Sequence, residues 1–194
     1  MKNICIAASL ALIAVTNAAA TTLSFDDLSG DPTQAITPGY GGFDWQTLAT
    51  ITAAEWPASG YANAVVSGPN AAYNWAGGAV SIRWAGTGTV DFAGAFFTSA
   101  WQEQELVFEG WQGGVLKHST PASIGITTVA PLWIALDWAG IDELRIYNSA
   151  NHWAMDDFSF SNPSAAVPEL ATAWLALAGL AGLALRARRQ GVAA

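Results

Sequence analysis

Cysteine and histidine are almost missing from this chain. One cysteine, Cys5, and two histidines, His118 and His152, occur in 194 residues. Cys5 sits in the first apolar run, so the body that follows has no thiol, no disulfide and no cysteine nucleophile, and core packing must supply its stability. A lipoprotein leader is cut just before its cysteine, whereas here the apolar run follows Cys5, which excludes lipid modification at that residue. There is no G-x-S-x-G elbow and no H-E-x-x-H or C-x-x-C pattern, so neither a serine nucleophile constellation nor those zinc sites are visible.

Basic residues are also scarce, and they are unevenly placed. Of seven, Lys2, Arg186, Arg188 and Arg189 lie in the two ends, leaving Arg83, Lys117 and Arg145 against fourteen acidic residues in the body. The formal charge of −8 for the whole chain thus becomes about −11 for the body. Such a surface repels phosphate backbones and excludes nucleic acid as a partner; cations fit it better. The body also lacks any sustained helical stripe with a cap at each end, so helix there is confined to a short turn or two.

What is present begins with a leader. Lys2, the apolar stretch Ile4 to Val15 and the small residues Asn17-Ala18-Ala19-Ala20 read as a signal peptide over 1–20, an N-terminal signal helix cut before Thr21. Beyond it the periodicity is that of strands. Leu23 and Phe25 share a face; Val80, Ile82 and Trp84 alternate with Ser81 and Arg83; Leu106 and Phe108 alternate with Glu105 and Glu109; Leu144 and Ile146 alternate with Arg145 and Tyr147. The run through Leu132, Ile134 and Leu136 is dense enough for a central strand. Glycine-rich clusters separate these runs, and Gly113-Gly114 marks the clearest tight hairpin. The expected class is all-β, an antiparallel β-sandwich or jelly roll over 21–161, followed by a linker at 162–166.

The C-terminus carries Val167, Pro168 and Glu169, then an apolar run from Leu170 to Leu185, then Arg186, Arg188 and Arg189. As a helix the 16 residues 170–185 span roughly 24 Å, short against a hydrocarbon core of roughly 30 Å. Trp174 and the arginines extend it at the interfaces, and the basic end sets the C-terminus in the cytoplasm with the body outside. A buried core helix is the alternative for so short a run, and the flanking linker and arginine cluster argue against it. Motif, transmembrane helix and basic end in this order, over 167–190, resemble the PEP-CTERM sorting signal of Gram-negative envelope proteins. Leu170 stands where that family usually has a second proline. The resemblance implies an exosortase as partner, cleaving near Pro168-Glu169 after export, and membrane attachment before the cut.

Segments of the body resemble a recurring ectodomain of PEP-CTERM proteins: Phe25-Asp26-Asp27-Leu28, the stretch Gly39 to Trp45, and Trp153 to Phe158. That ectodomain has no assigned activity, and its pattern is similar to galactose-binding-like sandwiches, in which first and last strands share a sheet. If they do so here, Asp26 and Asp27 approach Asp156 and Asp157, oxygen ligands suited to a structural calcium. The alternative is two exposed acidic strand ends.

Nine of ten tryptophans fall in the body. Buried, they fill a disulfide-free core; exposed, they stack on sugar rings. Trp84 and Trp133 lie in strand runs and belong to the core, whereas Trp56, beside Pro57, and Trp75, near Gly77-Gly78, are the better surface candidates for glycan stacking. Glu103, Glu105 and Glu109 read as the solvated side of one strand rather than as a hydrolytic pair. The expected function is that of an exported, noncatalytic cell-surface or matrix protein associating with extracellular polysaccharide. The alternatives are a glycan-active hydrolase and an uncleaved single-pass membrane protein.

Overall fold

The computed structural model describes residues 19–28 and 33–163. The sorting motif Val167, Pro168 and Glu169, the apolar run 170–185, Arg186, Arg188 and Arg189, and nearly all of the 1–20 leader lie outside the described residues. Among the described residues no helix is long and apolar enough to cross a membrane.

The chain forms thirteen strands among these residues: β1 (Ala20–Leu23), β2 (Thr33–Ala35), β3 (Phe43–Gln46), β4 (Ala49–Thr52), β5 (Asn70–Tyr73), β6 (Val80–Trp84), β7 (Val90–Ser99), β8 (Gln104–Gln112), β9 (Val115–Ser119), β10 (Ile124–Ile126), β11 (Leu132–Ile141), β12 (Glu143–Asn148) and β13 (Trp153–Ser161). Three one-turn 3₁₀ helices, Tyr40–Gly42, Ala53–Glu55 and Gly60–Asn63, are the described helical content.

All pairings are antiparallel. One sheet runs β11-β7-β13-β5-β4-β2, with β1 added beside β13; the other runs β10-β8-β12-β6-β3, with β9 beside β8. One edge of β13 is shared lengthwise, since Ala154 and Met155 face β5 while Phe158 to Ser161 face β1. First and last strands therefore do meet. Gly113 and Gly114 close the β8–β9 hairpin with φ of 57° and 76°, the left-handed pair that a two-residue turn requires.

The period-two alternation sorts residues between the sheets and solvent. Ile82, Phe92, Phe97, Leu106, Phe108, Ile146, Met155 and Phe158 are all buried between the sheets. Full burial of each such side chain stabilises by about 1.5–3 kcal/mol, which is how a cysteine-free body holds together. Trp84 packs on Phe43 and Phe160, with ring centroids 5.0 and 6.0 Å away, and is partly buried against the margin of this core rather than inside it.

Three local expectations are corrected. β1 stops at Leu23, and Phe25 reaches the core from a bend with φ 63° rather than by strand alternation. The dense run at 132–136 is an edge strand, because β11 pairs with β7 alone. Being at the edge, β11 leaves Leu132 and Trp133 exposed; Trp133 packs outside the core against Phe96 at 5.0 Å.

Residues 53–69, between β4 and β5, leave the sheet and lie across the outer face of the β11-to-β2 sheet. There Ile51, Tyr61, Ala64, Ala71, Ala100 and Ala154 form a second, smaller cluster. Ala71 and Ala154 face it while their neighbours Ala72 and Met155 face the main core, as strand alternation demands.

Candidate functional site

The 53–69 excursion is bound down at several points. Ala53 N donates to Pro69 O at 3.0 Å and closes its base; Gly60 N donates to Ala100 O at 2.8 Å; Asn63 Nδ2 donates to Thr128 O at 2.9 Å. The fourth attachment is Asp156, fully buried on β13, whose Oδ2 accepts from Val66 N at 2.7 Å and Ser67 N at 2.9 Å. At Gly60 the excursion presses against the sheet: a Cβ there would stand 1.8 Å from Ser99 O, so only glycine fits.

This attachment sets out three aromatic rings. Ser59 Oγ caps the Gly60–Asn63 turn, accepting from Tyr61 N at 3.2 Å and donating to Trp56 O at 2.8 Å. Tyr61 is buried against the sheet, and the indoles of Trp56 and Trp101 stand 6.1 and 5.7 Å from its ring. The indoles lie 6.4 Å apart at 75° to one another and are 37% and 52% exposed. Trp101 follows β7 in a turn fixed from beneath: Ser99 Oγ donates to Gln102 O, and Gln104 Nε2 donates to Ser99 Oγ at 2.7 Å and His152 O at 2.8 Å. Burial, with Tyr73 adding to it, raises the Tyr61 phenol well above its ordinary range, so it stays neutral.

Beside the rings is an open depression of about 330 Å³ lined by Pro57, Ser59, Asn63, Trp101, Thr128 and Val129, among others. No charged side chain lines it. Glu55 and Glu103 are exposed and flank Trp56 and Trp101 in sequence without entering it. Trp75, 54% exposed, borders a second depression of about 280 Å³ with Tyr73 and β2, and Tyr73 touches Tyr61 at 5.5 Å. A third depression, about 350 Å³, lies between the β9–β10 segment and Trp138, and it too is lined without charge.

Both predicted indoles, Trp56 and Trp75, are therefore exposed and border or adjoin a depression. Trp101, the better exposed partner of Trp56, was not singled out in the sequence. Its signal was its place in a Ser-Ala-Trp-Gln-Glu stretch between two strand runs.

The four aspartates behave differently. Asp26, Asp156 and Asp157 converge on the 66–70 turn, where Asp26 Oδ1 accepts from Asn70 N at 3.0 Å and Asp157 Oδ1 accepts from Ser67 Oγ at 2.9 Å. Asp27 turns the other way and accepts from Tyr40 Oη at 2.7 Å. Among the described residues no group of three or more acidic, histidine or cysteine side chains is arranged to hold a metal ion. The carboxylates at this turn are engaged by protein N–H and O–H donors. Burial raises the Asp156 carboxyl above its ordinary value, opposed by the backbone donors of Ser67, Val66 and Asp157.

The outer face of the other sheet is occupied by its own network. Glu143 accepts from Arg145 Nε at 2.7 Å, Ser81 Oγ at 2.7 Å and Arg83 at 3.3 Å, and the Arg145 guanidinium sits 4.1 Å over Trp111. Two of the three body cations thus neutralise one carboxylate, and Trp111 has its face covered.

No protein-family model matches the chain, and no curated protein matches it in sequence. In structure it is similar to a DUF4465 family protein from Bacteroides caccae, at 11% identity and a TM-score of 0.50, over 73% of this chain and 98% of that one. It is also similar to the CBM22-1 xylan-binding domain from Paenibacillus barcinonensis Xyn10C, at 12% identity and a TM-score of 0.46, over 76% and 97%. The likeness to the first is one of fold, an antiparallel all-β sandwich.

Proposed function

We propose that this is an exported, noncatalytic cell-surface or matrix protein whose sandwich associates with extracellular polysaccharide through Trp56 and Trp101. The observation that carries the reading is two solvent-exposed indoles packed edge-on against the buried Tyr61 beside an uncharged depression. Large aromatic faces that remain wet on a well-packed domain cost hydration and are kept where a partner covers them. Sugar rings, with one apolar face and a hydroxyl rim, match an indole flanked by Asn63 and Thr128.

A glycan hydrolase is the weaker reading, because none of the three depressions described above, among the described residues, is lined by a carboxylate. Affinity electrophoresis of the full chain in polysaccharide gels should show retardation that Trp101→Ala removes, with no reducing ends released. Release of reducing ends would replace binding with hydrolysis.

Delivery belongs to the same proposal. The 1–20 leader exports the chain, the 170–185 run holds it in the membrane, and an exosortase cuts near Val167-Pro168-Glu169. Mass spectrometry of the surface form in cells with and without the exosortase tests this: peptides containing Arg186 to Arg189 in the mature protein would refute processing.

A further inference from the structure

The shape and charge of the Trp56–Trp101 corner say more than that a glycan binds. Rings that follow the flat face of a crystalline polysaccharide must share one plane. These indoles are inclined at 75°, and Tyr61 holds that angle from behind, at 70° to Trp56 and 82° to Trp101. A flat face laid on one indole leaves the other standing away from it, whereas a single strand can stack a sugar on one plane and turn against the second.

The hydrogen-bonding groups beside the corner are neutral. Asn63 commits its amide N–H to Thr128 O, so its Oδ1 remains as an acceptor for a sugar hydroxyl. The Thr128 hydroxyl can donate or accept. Glu55 directly precedes Trp56 and Glu103 follows Trp101 by two residues, both exposed, on a body of about −11. A polyuronate approaching this body meets like charge, and no lysine or arginine lines the depression to offset it.

Resting on the glycan-binding reading, we infer that the corner takes a single uncharged glycan strand and rejects both flat crystalline faces and polyuronates. The test uses the full chain, kept in a detergent that is not a glycoside, against three probe sets. These are soluble glucans, xylans, mannans and galactans in affinity gels; microcrystalline cellulose in a pull-down; and polygalacturonate and alginate at low ionic strength.

Retardation by at least one soluble neutral polymer, weakened tenfold or more by both Trp56→Ala and Trp101→Ala, with no retention on the other probes, is the expected result. Glu55→Gln with Glu103→Gln should leave neutral binding within about twofold. Retention through Trp101 on microcrystalline cellulose or on a polyuronate, without neutral soluble binding, overturns the inference while the glycan reading stands. Binding to none of the probes, or binding untouched by either indole variant, overturns both.

Discussion

Replacing Asp156 by alanine should free the 53–69 excursion from the sheet. The carboxylate is completely buried and accepts from Val66 N at 2.7 Å and Ser67 N at 2.9 Å, both some ninety residues away in sequence. An alanine leaves these two amides without their acceptor; a fully buried donor so left costs about 1–3 kcal/mol, but Val66 is exposed and Ser67 half-buried, so water takes over part of the bonding and the loss is about 2 kcal/mol. For a domain of this size that corresponds to a melting point lowered by about 5 °C. Asp156→Asn keeps one acceptor and should cost about half as much.

The pH dependence separates these variants further. Burial raises the folded-state pKa of Asp156 above its unfolded value, so the contribution of this group is fully present below the ordinary carboxylate range and is lost as pH rises through the raised value. The stability gap between wild type and Asp156→Asn should therefore be wider near about pH 4 than near about pH 7. Calorimetry supplies the melting points, and amide hydrogen exchange at Val66 and Ser67 reports the excursion itself. Melting of Asp156→Ala within about 1 °C of wild type, or unchanged exchange across 53–69, would refute the reasoning.

Glu143→Gln should destabilise by about 1–2 kcal/mol at neutral pH, a discount on the full shift because its arginine partners remain partly in water. Arg145, Ser81 and Arg83 hold this carboxyl down to about 2, so its stabilisation is present above the unfolded value and disappears as pH falls toward about 2; an equal gap at both ends of that range would count against the network. Gly60→Ala drives a Cβ to 1.8 Å from Ser99 O and should cost about 1–3 kcal/mol and displace Tyr61 and Trp56, so undiminished retardation in polysaccharide gels would contradict the contact. Thermal melts in calcium and in chelator should coincide, because Asp26, Asp156 and Asp157 already accept bonds from the 66–70 turn; a rise of several degrees with calcium would assign those oxygens to a cation.

The strands were legible because one buried face leaves a period of two in the sequence, as in Leu106 and Phe108 or Leu144 and Ile146. The order of strands was not, since apolar density reports how buried a strand is expected to be and says nothing of its neighbours. The run through Ile134 thus suggested a centre and forms an edge. The meeting of β1 with β13 followed only from the resemblance to galactose-binding-like sandwiches, and the approach of Asp26 to Asp156 and Asp157 followed from that meeting. What those aspartates bind could not be anticipated, because the donors to Asp26, Asp156 and Asp157 come from the amides and the Ser67 hydroxyl of a stretch of glycine, proline and serine with no periodicity. Indoles posed the same difficulty: Trp133 and Trp101 have identical chemistry to buried Trp153, and only the sheet edge and the 99–104 turn decide their exposure.

The antiparallel register of β7 and β13 determines how the domain would carry force. Trp101 follows the C-terminal end of β7, and the chain beyond Ser161 leaves from the C-terminal end of β13. These ends lie at opposite extremes of a ladder that runs from Trp153↔Ser99 to Ser161↔Asp91. A ligand pulling at Trp101 against a tether at Ser161 therefore slides one strand along the other and loads every rung together. Pulling between Ala20 and Ser161, which face each other across the β1–β13 ladder, would open rungs singly. Single-molecule pulling between residues 101 and 161 should rupture at clearly higher force than between 20 and 161, and equal forces would show that the ladder does not bear the load.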